Sequence, residues 1–141
     1  MGAIPKVARL DATRVAAGAV LVAVALALAL LGGAIARFPG GSDCDPAARG
    51  FDPWCNYLSD LLHAAARHGT PNPAAPLARA SILTFVAALP PFWVLVARWL
   101  PWGGAAVRVL GALSAIGWAA VPLVSSDRFG AWHGVFVLVG A

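Results

Sequence analysis

Glutamate is missing from this sequence, and its only acids are six aspartates: Asp11, Asp43, Asp45, Asp52, Asp60 and Asp127. Charged residues make up 11% of the chain, against about a quarter in an ordinary soluble domain. So little charge argues against a water-facing surface on all sides. Clustered basic residues are lacking too. The ten Lys and Arg stand mostly singly, near the ends of apolar runs. Nucleic-acid binding calls for a basic face, so no nucleic acid is expected as a partner, and the positive balance reads as membrane-flank charge. Alternating apolar and polar stretches are absent, which argues against a strand-built core. Cysteine is limited to Cys44 and Cys55, both in one polar segment.

What is abundant is apolar sequence. Val15 to Ala36 contains only Val, Ala, Leu, Ile and Gly. A bilayer core of about 30 Å needs roughly 20 apolar residues in a helix, and the backbone must satisfy itself in lipid. The run therefore predicts a spanning helix over 15–36. A cleaved signal peptide is the alternative, with Lys6, Arg9 and Arg14 as its basic region and Ala34-Ile35-Ala36 as a cleavage site. The run is longer than the ~7–15 residues of a cleaved core, which favours retention. Ala19, Ala23 and Ala27 form one small-residue stripe, and Ala25, Ala29 and Gly33 another. Such stripes let helices approach closely in lipid and are candidate helix–helix contacts.

A second span is expected over 80–97, kinked at Pro90-Pro91 because proline removes a helix donor. A third is expected over 105–124, with Arg108 snorkelling from its first turn and Gly111, Ala115 and Ala119 as a further stripe. The last run, 129–141, covers only about 20 Å as a helix and is too short to cross. The expectation is an all-α polytopic transmembrane helical bundle, a single domain over 1–141. It has three full spans plus a truncated fourth, the chain being a fragment of a longer protein.

Lys and Arg divide evenly between the two sides of such a bundle, five each. The positive-inside rule weights short loops and flanks, where Lys6, Arg9, Arg14, Arg98 and Arg108 lie. This predicts a cytoplasmic N-terminus, a cell-membrane location, and an extracytoplasmic polar segment over 37–79. Trp99 and Trp102 then suit the inner interface, and Trp54 and Trp132 the outer one. An oxidising compartment permits a Cys44–Cys55 disulfide, the alternative being two free thiols. The bridge would contribute about 3 kcal/mol in the chain-entropy estimate.

The polar segment carries most of the unusual chemistry. Phe38 to Asp52 is rich in Gly, Pro and Asp and reads as loop. Trp54 to His68 reads as helical from the spacing of Leu58, Leu61, Leu62 and Ala65. Ser59 and Asp60 sit at its start, where side-chain oxygens cap free backbone donors. Gly69-Thr70-Pro71-Asn72-Pro73 breaks it. Two crossings later come Ser125-Ser126-Asp127-Arg128 and His133, which places Asp127 on the same membrane face as His63 and Asp60.

Asn56-Tyr57-Leu58-Ser59-Asp60-Leu61, then Asn72-Pro73, then Pro122, Asp127 and His133 together resemble the signature of a bacterial polytopic membrane family, the domain of unknown function 998. That family is similar to the DRAM-like membrane proteins. Leu62 stands where the family has Gly. The resemblance implies about six spans and no defined reaction, with lipid handling hinted at by some relatives.

The candidate polar cluster is therefore Asn56, Ser59, Asp60, Asn72, Asp127 and His133. It would bind a lipid headgroup or a partner, with membrane lipid the expected contact, or it would only cap and cross-link helices. Asp60 and His133 are expected to meet at the outer face, with Ser59 and Asp127 beside them. The alternative is a zinc-dependent membrane hydrolase acting on a lipid amide or ester, with His63, His68 and His133 as ligands. No His-x-x-x-His pair supports it, so no cofactor and no tightly bound metal are expected.

Overall fold

A computed structural model describes residues 6–100 and 103–141, with side chains from residue 12 onward. Trp102 and the side chains of Lys6, Arg9 and Asp11 lie outside the described residues. Among those described, all regular structure is helical: α1 (Lys6–Arg37), α2 (Ala75–Trp99), α3 (Gly104–Ala120), α4 (Ser126–Phe129) and α5 (Ala131–Gly140). A 3-10 turn over Leu58–Leu62 sits in the long connection between α1 and α2.

Two of these helices are long and apolar enough to cross a membrane. They are Ala12–Arg37 within α1, with mean hydropathy 2.7, and Ala75–Trp99, with mean hydropathy 2.0. At about 1.5 Å per residue, each exceeds the hydrocarbon thickness. Most of each surface is uncovered by protein. Leu21 (70% exposed) and Val22 (69%) on α1, like Ile116 (63%) on α3, point outward. An apolar exterior of this kind suits a membrane or an apolar protein partner.

α1 packs along α2, α2 along α3, and α3 along α5. On α1 the inward ridge includes Ala27, Ala34 and, just past its end, Phe38, at the seven- and four-residue intervals of one helix face. Of the two small-residue stripes, only Ala27 is buried; Ala23 and Gly33 are half-buried, and Ala19, Ala25 and Ala29 are exposed, because one face of a helix in a bundle this small meets a partner. The Ser81 hydroxyl on α2 donates to the Ala27 carbonyl at 2.8 Å, tying the two long helices together.

α2 continues through Pro90-Pro91 as one helix. α3 is shorter than the expected third span. It ends at Ala120, and Val121 to Leu123 turn, because Pro122 has no N–H to continue the ladder. The Leu123 and Val124 amides both return to the Ala120 carbonyl, at 2.9 Å each. The last run is broken at Gly130, whose φ of 49° with ψ of −116° separates α4 from α5. Close helix contact rests on glycine. A β-carbon at Gly111 would collide with the Trp93 ring, and one at Gly117 with the backbone of Val139 and Gly140.

The expected helix over 54–68 is not what forms. Only the 3-10 turn is helical, and His63 at its end is extended. The competing bonds explain this. Asp60 and Asn72 side chains bind the backbone of this stretch, which diverts it from an i to i−4 ladder. Ala65 and Pro71 instead form an isolated antiparallel bridge, closed by Ala66 N–H to Thr70 carbonyl at 2.8 Å.

Candidate functional site

The segment from Phe38 to Asn72 folds as a cap over one end of the helices. Its underside is apolar. Leu61 and Leu62 are fully buried and pack with Phe38, Ala34, Ala74, Ala78 and Val121. Phe51 meets Phe38 edge-on, ring centroids 6.0 Å apart. Cys44 and Cys55 are joined by a disulfide, Cα atoms 5.6 Å apart, so the bridged reading holds.

Three of the candidate polar residues hold this cap together. Asn56 uses both ends of its amide. Its Oδ1 accepts from the Asp52 amide at 3.0 Å. Its Nδ2 donates to the Gly41 carbonyl at 2.8 Å and to Asp60 Oδ2 at 3.1 Å. Asp60, 3% exposed, also accepts from the Tyr57 amide at 3.0 Å, capping the 3-10 turn. Its other oxygen stands 3.9 Å from His63 Nδ1 and 4.0 Å from an Arg67 guanidinium nitrogen. The same Arg67 nitrogen pairs with Asp43 at 2.7 Å. Asn72 donates to the carbonyls of Leu61 at 3.2 Å and His63 at 3.0 Å. Its Oδ1 accepts from the Ala74 amide at 3.0 Å, which opens α2. The amide groups of Asn56 and Asn72 are thus engaged at both ends and serve the cap's own backbone, while Asp60 Oδ1 faces only the His63 ring and the Arg67 guanidinium.

Asp127 lies at the turn after α3 and clamps that turn to the cap. Its carboxylate faces the Ala64 amide at 3.5 Å. The neighbouring Ser126 hydroxyl shares a 2.7 Å hydrogen bond with His63 Nε2. Partial burial pushes the Asp127 carboxyl up, but the Ser125 hydroxyl, the Ala64 amide and the His63 ring outweigh it and hold it below its ordinary value. The cap and the α3–α4 turn therefore occupy the same end of the molecule.

Ser59 and His133 are placed differently. Both line a cavity of about 550 Å³ between the cap, α1, α2, α3 and α5. Its remaining wall is mostly apolar, with Leu31, Phe85 and Val137 among the lining residues. His133 is 7% exposed, and its Nδ1 lies 2.6 Å from the Val124 carbonyl. A carbonyl only accepts, so Nδ1 carries the proton, and in the neutral ring Nε2 is an acceptor.

The expected meeting of Asp60 and His133 is not a bonded one. Among the described residues no hydrogen bond or ion pair joins them. Asp60 is spent on Asn56 and the Tyr57 amide, and His133 on Val124. Ser59, the residue beside Asp60, is what shares the cavity with His133. The alternative zinc ligands are also dispersed. His63 bonds Ser126, His68 faces Thr70 Oγ1 at 3.2 Å, and His133 bonds Val124. Among the described residues no three His, Cys or Asp side chains come together as a metal set. The His63–Ser126 link was not singled out from the sequence, although both residues stood in marked segments. The Val124 carbonyl has no sequence signal at all, being backbone.

No family model, curated protein or solved structure matches this chain.

Proposed function

We propose that this chain is a multi-pass integral membrane protein that associates with membrane lipid through the cavity beneath its cap. Three spans cross the bilayer and a partial fourth enters it, the N-terminus is cytoplasmic, and the cap faces the extracytoplasmic side. The observation that carries the lipid reading is the cavity itself. It is mostly apolar, of about 550 Å³, and holds a serine and a histidine at its cap end. Small-molecule sites are typically cavities of about 300–1,000 Å³ with a few placed polar groups. A disulfide in the cap suits the oxidising side of a membrane. The resemblance to the domain of unknown function 998 family is part of the same reading, since it groups Asn56 to Leu61 with Asp127 and His133.

The test is native mass spectrometry of the full chain released from detergent micelles, paired with carbonate extraction of the membranes that express it. The expected outcome is a carbonate-resistant protein that retains lipid adducts. A chain extracted by carbonate, or one that flies free of lipid under conditions gentle enough to keep it folded, would sink the reading.

A further inference from the structure

Beyond lipid association in general, the polar end of the cavity selects for a particular headgroup. We propose that the cavity binds a long-chain fatty acid, its carboxyl group seated between Ser59 and His133 and its chain laid along the apolar wall. This rests on the lipid-associated reading above.

The argument starts from what each polar atom in the wall can still do. Ser81 also lines the cavity, but its proton is given to the Ala27 carbonyl. His133 gives its Nδ1 proton to Val124, and its Nε2 has no hydrogen-bond partner among the described residues. The Ser59 hydroxyl has none either, and Ser59 is half-buried. At its cap end the wall thus offers one lone-pair acceptor, His133 Nε2, and one half-buried hydroxyl, Ser59 Oγ; the Tyr57 hydroxyl stands on a residue 67% exposed, and the Trp118 indole N–H lies across on α3. His133 Nε2 and Ser59 Oγ face the open space of the cavity, so a ligand that displaces water there keeps its affinity only if it supplies one donor and one acceptor at one end.

A carboxylic acid has both. Its O–H donates to His133 Nε2, and its carbonyl oxygen accepts from Ser59 Oγ–H. If the proton crosses to Nε2, no other bond changes. The pair becomes carboxylate and imidazolium, joined by a stronger, charge-assisted hydrogen bond. The head is held in either proton position. A methyl ester has no proton to give. A phosphodiester is ionised at neutral pH and brings no proton of its own, so it pairs only with a His133 that has taken one from solvent. The rest of the wall is mostly apolar and opens outward at Leu28, Tyr57 and Leu58, each more than half exposed, so a single acyl chain can enter there.

The experiment is equilibrium binding of radiolabelled palmitic acid to the full chain in phosphatidylcholine nanodiscs, with empty nanodiscs as background. Three comparisons follow: methyl palmitate, hexadecanol and phosphatidylglycerol as competitors. Two variants accompany them. Ser59→Ala removes the donor. His133→Asn keeps an amide N–H for the Val124 carbonyl and removes Nε2. Saturable binding of palmitic acid is expected, weakened roughly three- to tenfold by either variant, as for a lost hydrogen bond. Methyl palmitate should compete at least about threefold more weakly than palmitic acid. The proposal is overturned by binding no greater than in empty nanodiscs, or by folded variants that bind as the original does. It is also overturned by hexadecanol or phosphatidylglycerol competing as well as palmitic acid. Should both variants fail to fold, the unaltered chain decides, since equal affinity for palmitic acid and its methyl ester is then fatal. A chain that keeps phospholipid adducts in mass spectra yet ignores palmitic acid overturns this proposal alone and leaves the lipid-associated reading standing.

Discussion

Asn72 shows how one side chain organises a loop that has no regular structure. Its amide takes two carbonyls of the cap and starts α2 through the Ala74 amide. Asn72→Ala should therefore strand buried carbonyls and cost about 1–3 kcal/mol, read as a lower midpoint in chemical or thermal unfolding in detergent. The change should leave the helix content of α1 intact. Asp127 gives a pH-dependent counterpart. Its carboxyl is held below its ordinary value, so its contribution is present above the unfolded value, near 4, and is lost as pH falls through the lower folded value. Asp127→Asn should lower the melting temperature at pH 7, and the two proteins should converge as the medium becomes acid. A difference that persists unchanged at acid pH would mean that Asp127 acts through packing rather than charge. At this scale the sequence was partly legible. Asn56 and Asp60 stood out in the motif at the start of the stretch read as helical and Asn72 in the break after it, but most of their bonds run to backbone carbonyls and amides. Side-chain pairing such as Asp60 with His133 was read from residue types, and backbone acceptors such as Val124 have no residue type to read.

At the scale of elements, the long apolar runs located α1 and α2 because hydrophobic length is a property of composition. The stretch from Trp54 to His68 was misread for an equally physical reason. The spacing of Leu58, Leu61 and Leu62 fits a helix as well as a 3-10 turn, and the deciding bonds come from the Asp60 and Asn72 side chains, which that spacing does not include. The cap's disulfide closes a loop of 11 residues, and the chain-entropy estimate assigns it about 3 kcal/mol. Reduction, or Cys44→Ser with Cys55→Ser, should lower unfolding stability by up to that amount and leave the helix content of α1 and α2 unchanged. Helix contact at the other elements depends on glycine. Gly117 lies against the Val139–Gly140 backbone, so Gly117→Leu should push α5 from α3. Increased protease cleavage between Gly130 and Ala141, with little change near α1, would report it. Uniform cleavage along the chain would show that α5 is not an independently displaced element.

For the whole molecule, the decisive question is which way the cap faces. Lys and Arg counts are balanced, so the argument turns on position rather than number. Short flanks weigh most in orientation, and Arg98 and Arg108 flank the α2–α3 connection while the cap balances its arginines with aspartates. The structure adds a separate consideration. The cap and the α3–α4 turn meet through His63–Ser126 and Ala64–Asp127, so they share one end of the molecule; under the multi-pass reading proposed above, the α2–α3 connection lies on the opposite side of the membrane. The native disulfide leaves no reactive thiol among the described residues, which permits single cysteines to be added without removing any. Thr70→Cys in the cap and Ala105→Cys at the start of α3 both fall on exposed positions. In intact cells a membrane-impermeant maleimide should label Thr70→Cys and not Ala105→Cys; after permeabilisation both should react. The reverse pattern would invert the orientation and put the disulfide in a reducing compartment. Labelling of both in intact cells would mean that the α2–α3 connection shares a side with the cap, which two membrane-crossing helices on either side of that connection do not allow. The spanning assignment of α2 and α3 would then fall together with the orientation.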